Sequence, residues 1–153
     1  MTFLKMSTFI SGALLALTPL YAQATALPET SLSTEESAMV DWIDAHQEGA
    51  IALLEETVNI GSGTMNHEGV RAVGVVMARE LDALGLSSRW IEMPPEIGRA
   101  GHLFASKPGK SKKLLLIGHL DTVFEADDAF QAFTRKGNIG QGPGIADMKD
   151  GNA

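Results

Sequence analysis

The amino-acid sequence predicts a layered α/β domain. Two helical patterns come first, and they are followed by strand-like segments, the last of which is a wholly apolar run. An apolar run of strand length without polar alternation is typical of a strand that is covered on both faces of an α/β sheet. The order helix, helix, strand and buried strand therefore predicts helices packed in layers against a sheet.

The first helix is predicted at about residues 34–58. Ser33 and Glu36 match a capping box, and apolar residues then recur at roughly helical spacing as far as Val58. Residues 27–36 are rich in Pro, Thr, Ser and Glu, which indicates a short lead-in before the folded domain. We assign the domain itself to residues 37–153.

The second helix is predicted to follow a loop at residues 59–66, where two glycines lie among small polar residues. Asn66 can cap this helix, and Gly85 can end it in the left-handed conformation. Its apolar face is formed by residues at helical spacing: Val70, Val73, Met77, Leu81 and Leu84.

Three strands are predicted after the second helix. The first covers residues 88–93 and is broken by two prolines, and the second covers residues 102–106. The third covers residues 114–118 and contains the Leu-Leu-Leu-Ile run, so we expect it to be the buried strand of the sheet.

Composition limits the kinds of partner and metal site. The 19 acidic residues outnumber the 12 Lys and Arg residues, which argues against nucleic acid as a partner because phosphate binding needs a basic face. The chain has no cysteine, so a disulfide framework and a cysteine-based zinc site are both excluded. Any metal ion must be held by histidine and carboxylate side chains.

Residues 1–26 have the pattern of an export signal. Lys5 supplies a positive start, a mostly apolar stretch follows at residues 9–20, and small residues allow cleavage after Ala24 or Ala26. The alternative is a membrane anchor. A membrane-spanning helix needs about 20 apolar residues, and this stretch is shorter. We expect a periplasmic or secreted protein that has no membrane segment once the signal is removed.

His119 and Asp121 follow the predicted buried strand directly. Ligands of open α/β sheets gather at the carboxyl ends of strands, so this is a favoured position for a functional histidine. In extended backbone, residues two apart project to the same side, and a carboxylate there can accept a hydrogen bond from the imidazole. The alternative is a structural histidine that is satisfied by hydrogen bonds.

Asp147 lies in a second candidate segment, the glycine-rich residues 140–151. Glycines allow the backbone to pass close to an ion or ligand, and a carboxylate can bridge two metal ions through its two oxygens. Asp147 as a turn residue that caps the next helix is the alternative, and the pattern alone favours it.

Two segments taken together carry a family resemblance. Residues 118–124, Gly-His-Leu-Asp-Thr-Val-Phe, and residues 142–153, Gly-Pro-Gly-Ile-Ala-Asp-Met-Lys-Asp-Gly-Asn-Ala, resemble the signature segments of the dizinc hydrolases that include glutamate carboxypeptidase, aminoacylase and succinyl-diaminopimelate desuccinylase. Residues 58–64 and 80–86 resemble the helix, loop and helix that open the catalytic domain of that family, especially in its exported glutamate carboxypeptidase branch.

The resemblance implies specific roles. His119 would ligate one zinc ion, Asp121 would be the active-site residue that orients His119, and Asp147 would bridge two zinc ions. The peptide bond after Asp147 is commonly cis in the family. The implied function is hydrolysis of an amide or peptide bond beside a free carboxylate in a small peptide or acyl-amino-acid substrate, by a protein whose full-length form is a homodimer.

The family's general-base glutamate and remaining zinc ligands lie downstream of the segment that resembles residues 142–153. We therefore expect the layered zinc-hydrolase domain to be incomplete, with its N-terminal portion present, and these 153 residues alone to be inactive. The alternatives are a truncated, non-catalytic remnant or weak metal-binding module, and an α/β binding protein without metal.

Overall fold

The computed structural model describes residues 31–110 and 112–153. The predicted signal peptide at residues 1–26 and the first part of the lead-in, residues 27–30, lie outside the described residues. Within the described part of the chain, none of the helices combines the length and the apolar character that a membrane span requires.

Helix α1 covers Thr34–Val58, as the sequence predicts. Its N-terminus has the complete capping box: the Ser33 hydroxyl accepts from the Glu36 backbone nitrogen at 3.1 Å, and the Glu36 carboxylate accepts from the Ser33 nitrogen at 2.7 Å. These bonds satisfy backbone donors that have no partner within the helix. Burial is confined to the C-terminal end of α1, at Thr57 and Val58.

Helix α2 covers His67–Ala83, and both of its predicted ends are confirmed. The Asn66 side chain accepts from the Gly69 nitrogen at 3.1 Å, and Gly85 has a φ of 77°. The buried hydrophobic side chains among the described residues are valines, three of them on α2 and one at the end of α1: Val58, Val70, Val73 and Val76.

Strands β1 (Ser87–Ile91) and β2 (His102–Ser106) form an antiparallel pair that packs on α2. β2 has the predicted bounds, whereas β1 starts one residue earlier and ends two residues earlier than predicted. Gly74 of α2 allows the close contact, because a Cβ at that position would lie 2.5 Å from the Trp90 ring.

The prediction of a buried strand at residues 114–118 is wrong for the structure described. No strand forms there, and the four apolar side chains at 114–117 are 73–84% exposed. A strand is held by hydrogen bonds to a neighbouring strand, and its faces are buried only when other elements cover them. Among residues 31–110 and 112–153 no strand pairs with this segment, and its four apolar side chains stay uncovered.

A second antiparallel pair, β3 (Thr134–Lys136) and β4 (Ile139–Gln141), was not predicted from the sequence. Its connection is two residues long and contains Gly137 with a φ of 60°, as short hairpin turns require. The guanidinium of Arg135 binds the Glu48 carboxylate of α1 at 2.9 Å. This ion pair links the hairpin to the first helix.

The chain ends in a kinked helical segment, Ile145–Lys149, that continues into a short helical turn, α3 (Asp150–Asn152). The described residues thus contain helices and two small antiparallel sheets. The layered sheet of a complete zinc-hydrolase domain stays a prediction.

Candidate metal centre

The structure brings together the three residues that the sequence singled out. The His119 Nε2 lies 3.0 Å from Asp147 Oδ1, although the two residues are 28 positions apart. On the other side of the ring, Nδ1 lies 2.9 Å from the main-chain oxygen of Asp121 and 3.3 Å from its carboxylate Oδ1. His119 therefore lies between Asp121 and Asp147.

Both ring nitrogens of His119 face oxygen acceptors. A neutral imidazole carries one N–H, so it can donate on one side while the other nitrogen presents a lone pair. With Nδ1 donating to Asp121, the Nε2 lone pair faces the Asp147 carboxylate, and this arrangement is repulsive unless a cation lies between them. A proton on Nε2 or a metal ion relieves the repulsion.

Without a metal ion, the oxygen acceptors on both sides favour the protonated ring and raise the pKa of His119 above its ordinary value. The hydrogen bond with Asp147 has the largest effect, and the main-chain oxygen and charge of Asp121 act in the same direction, while partial burial of the ring opposes them. A metal ion competes with this proton, because a histidine ligand must present a free lone pair.

Asp147 lies on the kinked segment after Gly144, which has a φ of 72°. Its side chain is 84% exposed, and its backbone is not helical. The Asp147-Met148 peptide bond is cis, as the resemblance implies. The Lys149 backbone nitrogen donates to the Gly144 oxygen at 2.9 Å and closes the segment around Asp147.

Lys149 ties this segment to helix α1. Its side chain is buried, and Nζ donates to the main-chain oxygens of Thr57 at 2.5 Å and Ile60 at 3.2 Å. Burial lowers the pKa of Lys149 to about 8, so the side chain remains mostly an ammonium group at neutral pH. A cation near the last carbonyls of a helix is favoured by the helix dipole.

Two contacts of the site were missed by the sequence analysis. The Thr64 hydroxyl donates to Asp121 Oδ2 at 2.7 Å, and the Asn152 side chain donates to the His119 main-chain oxygen at 2.8 Å. Thr64 belongs to the loop at 59–66, which was predicted from the sequence without a role in the site. The loop's small polar residues were compatible with a site role, but no local spacing indicated which distant segment they would contact.

A cleft of about 260 Å³ opens beside His119 and Asp147. Its wall combines polar groups of the site with apolar side chains, which include Val123, Phe124 and Ile145. The His119 side chain is 42% exposed there, so a solvent-borne ion can reach both His119 and Asp147.

The pair fits part of a zinc site. Zinc takes histidine nitrogen and carboxylate oxygen at about 2.0–2.2 Å, and two such ligands at a tetrahedral angle are roughly 3.3 Å apart. The 3.0 Å separation of Nε2 and Oδ1 is close to that value. Within residues 31–110 and 112–153, however, no group of three or more metal-binding side chains is assembled. The described residues therefore offer two donors to such an ion.

Comparison with curated proteins finds a likeness to a carboxypeptidase. The relative is carboxypeptidase G2 of Pseudomonas sp. (strain RS-16), with 36% identity over 108 residues. The match covers 70% of this chain and 26% of the relative, so the chain spans about a quarter of that protein's length. This partial match supports, in coarse terms, a likeness to glutamate carboxypeptidases and to hydrolases.

Two other comparisons found nothing. No family model matches the chain, and no solved structure matches it.

Proposed function

We propose that this chain is the metal-binding N-terminal portion of an exported, zinc-dependent hydrolase that cleaves amide or peptide bonds. The activity that we propose for the whole protein is that of a glutamate carboxypeptidase, which releases a C-terminal amino acid. The partial likeness to carboxypeptidase G2 supports the hydrolase class. Zinc, export to the periplasm or medium, and a homodimeric full-length form are parts of this proposal.

The observation that carries the proposal is the approach of His119 Nε2 to Asp147 Oδ1, while Nδ1 is held by Asp121. A metal-bound histidine needs its second nitrogen fixed by an acceptor, because this sets the tautomer and the ring orientation. Asp121 supplies this acceptor at Nδ1, and Nε2 then faces Asp147, where a metal ion can bind both residues.

His119 and Asp147 would hold the metal, and Asp121 would orient His119. When bound, zinc supplies a Lewis acid for the substrate carbonyl and lowers the pKa of a bound water. His119 must present its neutral Nε2, and the hydrogen bond from Nδ1 to Asp121 keeps that nitrogen available. The cleft beside the two residues is open to solvent, so a metal ion and a substrate carbonyl can reach them.

Zinc titration of the purified chain tests the proposal. We expect His119→Ala and Asp147→Ala each to abolish specific binding, because each removes one of two donors. His46→Ala is the matched control, since His46 lies on the exposed face of α1. Equal zinc affinity in wild type, His119→Ala and Asp147→Ala would contradict the assignment of these two residues as metal ligands.

A second candidate is a non-catalytic remnant or weak metal-binding module. Two observations on the described residues favour it: the site assembles fewer than three metal-binding side chains, and the apolar segment 114–117 is uncovered. This candidate predicts zinc binding without turnover. Zinc-dependent hydrolysis of an acyl-glutamate by the purified 153-residue chain would exclude it, and would also contradict our expectation that these residues alone are inactive.

A further inference from the structure

The hydroxyl of Thr64 extends the interactions around His119 by one residue. Thr64 Oγ1 has two acceptors in reach, Asp121 Oδ2 at 2.7 Å and the Thr122 main-chain oxygen at 3.2 Å. A hydroxyl has one proton, and the shorter bond to a charged oxygen is the stronger of the two. Thr64 therefore donates to Asp121 Oδ2, while Oδ1 of the same carboxylate faces the His119 ring.

The backbone of Thr64 is held in place independently of this hydroxyl. The Thr64 nitrogen donates to the Thr122 oxygen at 3.0 Å, and the Thr122 nitrogen donates to the Ser62 oxygen at 2.8 Å. Together they form a parallel bridge between Gly63 and Thr122. The hydroxyl is thus presented to Asp121 by fixed backbone rather than by a free loop.

The same bridge fixes the main-chain acceptor of His119. A peptide unit is planar and trans, so the Asp121 carbonyl and the Thr122 N–H point in opposite directions. Because Thr122 N–H is bound to Ser62, the Asp121 oxygen is directed away from the loop and toward His119 Nδ1. The loop therefore orients the main-chain oxygen through backbone bonds and the carboxylate through one hydroxyl.

We propose that Thr64 is a positioning residue of the metal centre: its hydroxyl holds the Asp121 carboxylate against His119 and thereby raises the zinc affinity of the site. This inference rests on the proposed function, because it requires His119 to be a zinc ligand. Loss of a residue that bonds directly to a metal ligand, as Asp121 bonds to His119, typically costs 10–100-fold in metal affinity. Thr64 is one residue further from the metal and the main-chain acceptor of His119 remains, so we expect loss of the Thr64 hydroxyl to cost no more than the low end, about tenfold.

The test measures zinc affinity of the full chain and its variants by competition with a chromophoric chelator. Thr64→Val and Thr64→Ala remove the hydroxyl and should each weaken binding, by no more than about tenfold. Thr64→Ser keeps the hydroxyl and should stay near the wild-type affinity. Thr134→Val is the matched control, because Thr134 is exposed on β3 and lies outside the site.

A double-variant comparison separates positioning from a general effect on folding. In an Asp121→Ala background, Thr64→Val should cause no further loss of zinc affinity, because the carboxylate that it positions is gone. An equal loss in both backgrounds would overturn the inference, as would wild-type affinity in Thr64→Val. If Thr64→Val does not fold, the comparison of Thr64→Ala with Thr64→Ser decides.

The proposed function can fail separately. If wild type binds no zinc, or if His119→Ala binds it equally well, the assignment of the metal centre is overturned and the role of Thr64 with it. If wild type binds zinc through His119 and the Thr64 variants match it, the role of Thr64 alone is overturned.

Discussion

Lys149 Nζ lies 2.5 Å from the main-chain oxygen of Thr57, which is 92 positions earlier in the chain. The lysine follows Asp147 by two residues, and Thr57 is in the last turn of α1. A buried ammonium group thus joins the end of the first helix to the segment that carries the candidate bridging ligand. The bonds from Nζ to the oxygens of Thr57 and Ile60 fix the end of that segment against the C-terminus of α1.

Lys149→Met should destabilise the protein by about 1–3 kcal/mol, because the Thr57 and Ile60 oxygens lose a charged donor in a buried place. Urea unfolding measures the loss. Lys136→Met is the matched control, since Lys136 is exposed on β3. The interpretation is contradicted if both variants have the stability of wild type.

Gly144→Ala should disrupt the segment around Asp147. Gly144 has a φ of 72°, and a Cβ there would meet the Thr122 side chain. Gly137→Ala is a control for conformation alone, because Gly137 has a φ of 60° with no atom near the added Cβ.

We expect Gly137→Ala to cost about 1–2 kcal/mol and Gly144→Ala to cost more and to weaken zinc binding. Thermal unfolding and zinc titration of the two variants check this expectation. Equal losses of stability, with zinc affinity unchanged in both, would show that the contact with Thr122 is unimportant.

Local sequence patterns predicted much of this structure. The capping box at Ser33, the cap at Asn66 and the glycine end at Gly85 depend on neighbours within a few residues, so both helices could be predicted. The same holds for β2. These features need no knowledge of the distant chain.

Features that depend on distant partners were harder to predict. Burial of residues 114–118 required neighbours that the described residues do not supply, so that prediction was wrong. The grouping of His119, Asp121 and Asp147 came from the family resemblance, and the structure places them together. Thr64 was missed because its partner, Asp121, is 57 positions away.

Leu116→Lys should reduce aggregation with little effect on stability. The Leu116 side chain is 83% exposed in an apolar segment, so a charge there breaks an exposed hydrophobic surface. We expect less light scattering on concentration and a change in unfolding free energy within about 0.5 kcal/mol.

Val73→Ala is the contrasting variant for this test, because Val73 is only 1% exposed and its loss should destabilise the protein. If Leu116→Lys destabilises as much as Val73→Ala, residues 114–117 are buried in solution and the exposed surface does not exist.

The Glu48–Arg135 ion pair should give a small pH dependence of stability. The hydrogen bond and charge of Arg135 lower the pKa of Glu48 below its ordinary 4.5. Its stabilising effect is therefore present above pH 4.5 and is lost as the pH falls through the lower pKa of the folded protein.

Carbon-13 NMR of the Glu48 carboxyl checks this prediction. Its titration midpoint should lie below 4.5 in wild type and return toward that value in Arg135→Met. Arg89→Met, which removes a cation from β1, should leave the midpoint unchanged. A wild-type midpoint at or above 4.5 is incompatible with the ion pair.

The central claim is that His119 and Asp147 share one metal ion, and anomalous diffraction from a zinc-soaked crystal tests it most directly. We predict an anomalous peak about 2.0–2.2 Å from His119 Nε2 and from an Asp147 carboxylate oxygen, with Nδ1 still bonded to Asp121. Zinc bound through Nδ1, or zinc found at other histidines with none between His119 and Asp147, would contradict the account.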